Sequence, residues 1–551
     1  DNSGGGAGGS LYLTAKTIAG RGAILADGGA GEWVDGGGGA GGRIALHADA
    51  VSFTGELAAR GGGGHQRGGS GSIYTKLTGQ TTGELVLDNG GNDGALTPFD
   101  VPANTRLVLG GGSVFYPTGP LEVVSLRLKS GATLTHITGQ SNLTVNVAGD
   151  LDVESGATIT ADGKGYPLDG DPGPGAGESL GCCGGGGAYG GNGGVSLSGA
   201  VGGLAYGSVI EPVDLGSSGG GAGARSPGGG AIRLIVGGTL ELDGTLSANG
   251  TSSWYDNQGG AAGGSIWITA ERLAGAGAVS AIGGNGEWVE GGSGGGGRIA
   301  FHLGADEFMG TVSARGGTPG RQAGGAGTIY ARFAGETAGR VLIDNADNWG
   351  AYTPLACEEP FHLTLARRAQ VIGDPDLGLG GLVVETNTVL THLKEQDGLK
   401  VVVAGDATIS GTVYADGLGF PVGVDPGPGA GGQSSYAGSG AGHGGVGGTS
   451  RTGLPGGPTY GSQLEPTLRG SQGGSGSGGA GGHGGGAVRF VVGGTLTVDG
   501  SITANGLNGT ADNSGGGSGG SVFVSTRALA GAGAITVNGG AGEWVEGGGG
   551  S

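Results

Sequence analysis

The chain has 551 residues, 149 of them glycine, yet its Val, Ile and Leu fall in short alternating runs with no strict glycine at every third position, which excludes a flexible glycine linker and a collagen. Its net charge of -20 comes from 46 acidic against 26 basic residues with no basic run, a dilute surface that disfavours nucleic acid. No apolar run approaches the roughly 20 residues that cross a bilayer, so no membrane span is expected in this chain.

The opening stretch, residues 1–40, returns without a gap at 256–295 and at 512–551. The intervals are 255 and 256 residues, so the chain divides into repeat unit 1 at 1–255, repeat unit 2 at 256–511 and the start of a third at 512–551. Repetition at a fixed period marks stacked, quasi-one-dimensional architectures. The only methionine is Met309, so the chain reads as a processed or excerpted one.

In chain order, the run GGGGAGG at 36–42 suits backbone-to-backbone contact between neighbouring passes of chain. A less regular segment with Pro98, Pro102, Pro117 and Pro120 precedes two alternating passes that start at Leu121 and Ser141. DGKGYPLDGDPGPGAG at 162–177, matched by DGLGFPVGVDPGPGAG at 416–431, then opens an insertion in which about 50 residues of Gly, Ser and Ala follow. Its alternating Pro and Gly forbid helix and central strand. An ordered lobe is expected, of glycine strands packed side by side in polyproline-II or polyglycine-II fashion or laid on the flank.

The second repeat shows the smaller rhythm best. Strands begin at Ala231, Ser265, Arg298 and Thr328, about 30 to 34 residues apart, the length of one solenoid coil. At period 2, Ile232, Leu234 and Val236, then Ile266 and Ile268, then Ile299 and Phe301 form one apolar column. The alternate positions place Arg233, Trp267, Ala300 and Tyr330 on the opposite, outward face, and Arg489 and Phe523 keep the order of a base followed by an aromatic. Cation–π contacts in such a ladder are worth about 0.5 to 1 kcal/mol each. Asn249-Gly250, Asn505-Gly506, Asp162-Gly163 and Asp416-Gly417 read as corners with positive φ.

Together, GGGGAGGRIALH at 36–47, TLELDGTLSANG at 239–250, the DGKGYP and DPGPGAG segments, and YGS followed by EP at 206–212 resemble the glycine-rich repeats of very large secreted or surface proteins of bacteria. The resemblance covers essentially the whole chain. It implies an extracellular or cell-surface β-solenoid of adhesin or matrix type and brings no catalytic residues.

Trp33, Trp288 and Trp544, each between carboxylates in Glu-Trp-Val-Asp/Glu, are read as plugs over the apolar column, with a sugar-stacking platform as the functional alternative. Other acids are scattered singly, so no enzyme is expected. No cofactor is called for; calcium is a weak candidate at Asp88, Asn89, Asn92 and Asp93 or at Asp169 and Asp171, where turn formation explains the residues better. Cys182, Cys183 and Cys357 lack counterparts in the other repeat and read as incidental thiols. His47 and His302 share one outward position and suit packing between passes.

The fold class that follows is all-β: a right-handed parallel β-solenoid (β-helix) of tandem repeats with glycine-rich arcs, about eight coils and about 40 Å per repeat. The expected function is a rigid extracellular filament or stalk whose partner is itself, by end-to-end continuation. The alternative is a surface adhesin that presents Arg233, Trp267 and Tyr330, or the Trp33 and Trp288 motifs, to glycans.

Overall fold

A computed structural model describes residues 1–551 except 1–2, 33–34, 140–141, 169, 222–224, 288–289, 319, 357, 395, 421–424, 511 and 544–546. Among the described residues every regular element is a β-strand. The chain forms two compact units, Asp1–Glu336 and Thr337–Ser551.

In the first unit, Ala231–Leu242 pairs in parallel with Ser265–Gly275, which pairs with Arg298–Phe308, which pairs with Thr328–Phe333. Alternation of branched apolar and polar residues makes these strands, and the register stacks Ile232, Ile266 and Ile299, each at most 1% exposed. Full burial of each such side chain contributes about 1.5–3 kcal/mol. After a glycine bend, short strands form a second parallel ladder through Thr133–Thr135, Thr158–Thr160, Thr245–Ser247, Ala278–Ser280 and Thr311–Ser313. Counted along the long ladder, eight strand-to-strand steps lead from Ser10–Gly20 to its counterpart Ser265–Gly275.

One of those steps departs from the expected parallel stack. Ser72–Leu77 and Gly83–Asp88 are antiparallel, with Ile73 opposite Val86 and Tyr74 opposite Leu85. The link at 78–82 is too short for a parallel return, which takes about a dozen residues. Gly79 turns it at φ +82°, and the Leu77 N–H donates to Gln80 Oε1 at 3.1 Å. Directly opposed residues share a face of the sheet, so the hairpin also moves the core. Ile73 and Val86 pack with Ile44 and Leu46, whereas Tyr74 packs against the cluster that holds Leu85 and Leu87. Chain direction and core face reverse together.

The glycine-rich segments are ordered by their backbones. Along 259–264 successive N–H groups donate to the carbonyls of Gly220, Gly292, Thr251, Ser217, Gly295 and Ala248, so residues three apart share a neighbour. Along 292–297 the acceptors are Gly184, Gln322, Gly284, Gly187, Gly325 and Ala281, again in threes. That is the period of an extended helix with three residues per turn. Through these bonds the insertion, 165–229, lies against passes that begin one repeat later.

Two of the four expected corners differ. Gly163 and Gly417 take φ of +63° and +68°, but Gly250 and Gly506 stay outside the left-handed region. Asn249 instead joins three passes: its N–H donates to Asp162 Oδ1 at 2.6 Å, and its Oδ1 accepts from the Ile282 N–H at 2.8 Å. Gly250 is required by proximity, since a Cβ there would stand 2.3 Å from the Ala261 carbonyl oxygen.

The second unit follows the same local rules. Ala487–Val498 pairs in parallel with Ser521–Ala530 and alternates in burial residue for residue as Ala231–Leu242 does. Its short ladder runs through Val389–Thr391, Thr412–Tyr414, Ser501–Thr503 and Ala534–Thr536. Along 515–520 the N–H groups donate to Gly474, Gly548, Leu507, Ser471, Ser551 and Ala504, the same threefold alternation.

Candidate functional site

The parallel register turns the alternate positions of the long strands into a column. Arg233 stands opposite Trp267 with its guanidinium 4.2 Å from the ring centroid. His302 lies 5.9 Å from Trp267, and Tyr330 lies 5.6 Å from His302. In the second unit Arg489 covers Phe523 at 4.7 Å. In the first passes the same face carries Tyr12, His47 and Tyr74, at 5.1 and 5.8 Å between successive rings.

This face is not uniformly outward. Tyr330 is fully buried, contrary to the expected exposed ladder, because the glycine-rich lobe covers the passes around it. The Tyr189 hydroxyl lies 2.7 Å from Ser265 Oγ, and Ser265 Oγ donates to the Asp214 carbonyl at 2.5 Å. Arg298 donates from Nε to the Tyr206 carbonyl at 2.9 Å and stacks over Tyr189 at 5.6 Å. His302 Nε2 lies 3.0 Å from the Ile210 carbonyl oxygen. Burial pushes the Tyr189 and Tyr206 phenols well above their ordinary range, so both keep their protons and serve as donors. Trp267 is half-buried, and its Nε1 and Arg233 Nε are buried without a hydrogen-bond partner.

The lobe anchors were missed in the sequence, although the repeated Tyr-Gly-Ser was the signal. The Tyr206 hydroxyl donates to the Leu215 carbonyl and meets Ser217 Oγ at 2.8 Å. The matching Tyr460 donates to the Arg469 carbonyl at 2.6 Å and accepts from Ser471 Oγ at 2.9 Å. Each tyrosine pins the return of its own lobe.

The thiols need correction. Cys182 and Cys183 are joined in a disulfide between adjacent residues, so they are not incidental; Cys357 lies outside the described residues. Their sulfurs and a Glu290 carboxylate oxygen lie within 4.8 Å of one another, the one such cluster of potential metal ligands among the described residues. Both sulfurs are consumed by their mutual bond.

Several of the calcium candidates bond within turns or to a neighbouring pass. Asp88 Oδ1 accepts from the Gly90 N–H at 2.7 Å, Asn89 Oδ1 from the Gly61 N–H at 2.7 Å, and Asp171 Oδ1 from the Gly173 N–H at 2.9 Å. Asn92 Nδ2 donates to the Asn89 carbonyl at 3.3 Å. Asp169 lies outside the described residues, as do Trp33, Trp288 and Trp544. The backbone carbonyls of Glu32 and Glu287, the glutamates that precede two of those tryptophans, each accept from the backbone N–H four residues on, at 3.1 Å.

No known protein family, curated protein or solved structure matches this chain. Among the described residues no helix is long and apolar enough to cross a membrane.

Proposed function

We propose that the chain is a structural component of an extracellular filament or stalk, a right-handed β-solenoid of tandem repeats with polyglycine-II-like flanks, akin to the glycine-rich repeats of very large secreted or surface proteins of bacteria. One observation carries the reading. Besides its internal bonds, the lobe at 165–229 exchanges a series of backbone bonds with 257–296, beyond the repeat boundary at 255, so one repeat is fastened to the next by bonds that need no side chains. Such fastening suits a body that transmits force and resists proteolysis. A single right hand is consistent with the hairpin at 72–88, because reversing both direction and core face preserves the sense of winding, and parallel crossovers favour that hand.

Electron microscopy of native material tests the proposal. Eight steps of about 4.8 Å give an axial repeat of roughly 40 Å along a continuous unbranched thread. Short rods capped at both ends would refute it.

A glycan-binding adhesin is the second reading, favoured by the face at Tyr12, where the tyrosine is 68% exposed beside His47 and Tyr74. Saturable glycan binding lost in Tyr12→Ala with the fold intact would move the weight to it.

A further inference from the structure

Among the described residues the outer face of the first two passes, unlike its counterpart one repeat on, carries no lobe, while the third pass is covered by its own hairpin, where Tyr74 packs against the cluster that holds Leu85 and Leu87. At 292 and 295 the N–H groups donate to the lobe carbonyls of Gly184 and Gly187. Their counterparts Gly37 and Ala40 are exposed, and among the described residues their N–H groups have no partner. The same holds for Gly4 and Ala7, whose counterparts Gly259 and Ala262 donate to Gly220 and Ser217 of the lobe. Unpaired donors thus recur at every third residue on two adjacent passes.

The side chains repeat the contrast. Ser265 and Arg298, which hold the lobe, are 0% and 4% exposed, whereas Ser10 and Arg43 stand exposed around an open groove of ≈ 670 Å³ that also borders Tyr12, Tyr74 and Asp100. The second unit supplies another filled case. There Gly548 and Ser551 donate to the lobe carbonyls of Gly438 and Ala441 at 3.2 and 3.1 Å, and Ser521 Oγ donates to the Leu468 carbonyl at 2.6 Å. Ser551 occupies the position of Ala40, so a lobe of the 425–486 kind accepts a Cβ there.

From the two filled faces and the one empty one we infer that the face formed by residues 4–12 and 37–47 is a docking seat for the glycine-rich lobe of another copy of the repeat. The occupant must present backbone carbonyls at a three-residue spacing and approach closely, since at the filled position a Cβ on Gly292 would stand 1.9 Å from the Gly194 carbonyl oxygen, while one on Gly37 would meet nothing within 4 Å. Its residues matching Tyr206 and Leu468 would take the Arg43 and Ser10 donors. The inference rests on the reading of the chain as a stacked array of repeats.

The test lengthens the full chain at its N-terminus by a copy of residues 256–511, which places a lobe in phase ahead of Asp1, and follows amide exchange. In the 551-residue chain, Gly37 and Ala40 exchange fast while Gly292 and Gly295 are protected. In the lengthened chain, exchange at Gly37 and Ala40 is expected to slow by about 100-fold or more, as closed backbone bonds require. Gly37→Val in that chain removes the protection of Ala40 and leaves Gly295 protected. Unchanged fast exchange at Gly37 and Ala40, or protection indifferent to Gly37→Val, overturns the inference. So does protection of the 551-residue chain by added oligosaccharide with none from the added repeat. Capped rods in micrographs of native material together with a protected seat would refute the filament and keep the docking.

Discussion

The carbonyl oxygen of Gly194 lies where a Cβ on Gly292 would come within 1.9 Å of it. The pair sits where the lobe meets the glycine pass, and the pass binds the same lobe through the Gly292 N–H and the Gly184 carbonyl. Glycine is required here by close approach, since neither residue needs a positive φ.

Gly292→Ala is therefore expected to destabilise the chain by about 1–3 kcal/mol, the range for forcing atoms into a packed site. Gly37→Ala, at the matching open position, should change stability by no more than about 0.5 kcal/mol. Urea denaturation of the two variants side by side checks the difference, and equal costs would contradict a lobe seated on 292 alone.

Asn249 makes a second, separable prediction. Its Oδ1 accepts the Ile282 N–H at 2.8 Å, and Asn285 Oδ1 accepts the Thr318 N–H at 2.8 Å in the same relation one pass later. Asn249→Ala leaves the Ile282 N–H without that acceptor and should cost about 1–3 kcal/mol, while Asn249→Asp keeps an acceptor and should cost less. Amide exchange at Ile282 should accelerate in the alanine variant only.

Much of this was legible in the sequence. Strand starts at Ala231, Ser265, Arg298 and Thr328 and the inward column at Ile232, Ile266 and Ile299 follow from period-2 alternation, which burial on one face imposes. The hairpin at 72–88 was not legible, because each of its strands alternates like the others and only the short link reveals the reversal. Nor was the burial of Tyr330, since alternation assigns a residue to a face without saying what covers that face. That the lobe is ordered was expected from its alternating Pro and Gly, but which passes it bonds to was not, because its bonds are backbone bonds and glycine composition does not say where they go.

Arg233 and Trp267 offer a measure of the column itself. At 4.2 Å and half-buried, the pair should show a coupling of about 0.5–2 kcal/mol in a double-mutant cycle of Arg233→Ala and Trp267→Ala. Zero coupling would reduce the column to two side chains that share a surface.

The disulfide predicts a labelling pattern. Cys182 and Cys183 are bonded to each other, so neither should be alkylated in the unfolded chain before reduction, and both should be afterwards. Alkylation of both without reductant would show free thiols.

Acid should loosen the chain through two buried histidines. His136 Nδ1 lies 3.1 Å from the Ile137 carbonyl oxygen and His392 Nδ1 lies 2.8 Å from that of Leu393, while each Nε2 is buried without a partner. Burial holds both imidazoles below their ordinary 6.5, against the pull of those carbonyls, and Lys164 and Arg469 add to the lowering. The unfolded chain therefore binds more protons below about 6.5, so their stabilising contribution is complete above that pH and is lost as pH falls toward the lowered folded values. Each histidine can take away up to about 1.4 kcal/mol per pH unit within that window. Denaturation at pH 7.5 and 5.5 should show the loss, and His136→Gln combined with His392→Gln should flatten it, because a neutral amide has nothing to titrate. An unchanged pH dependence in the double variant would overturn the assignment of the acid sensitivity to these two histidines.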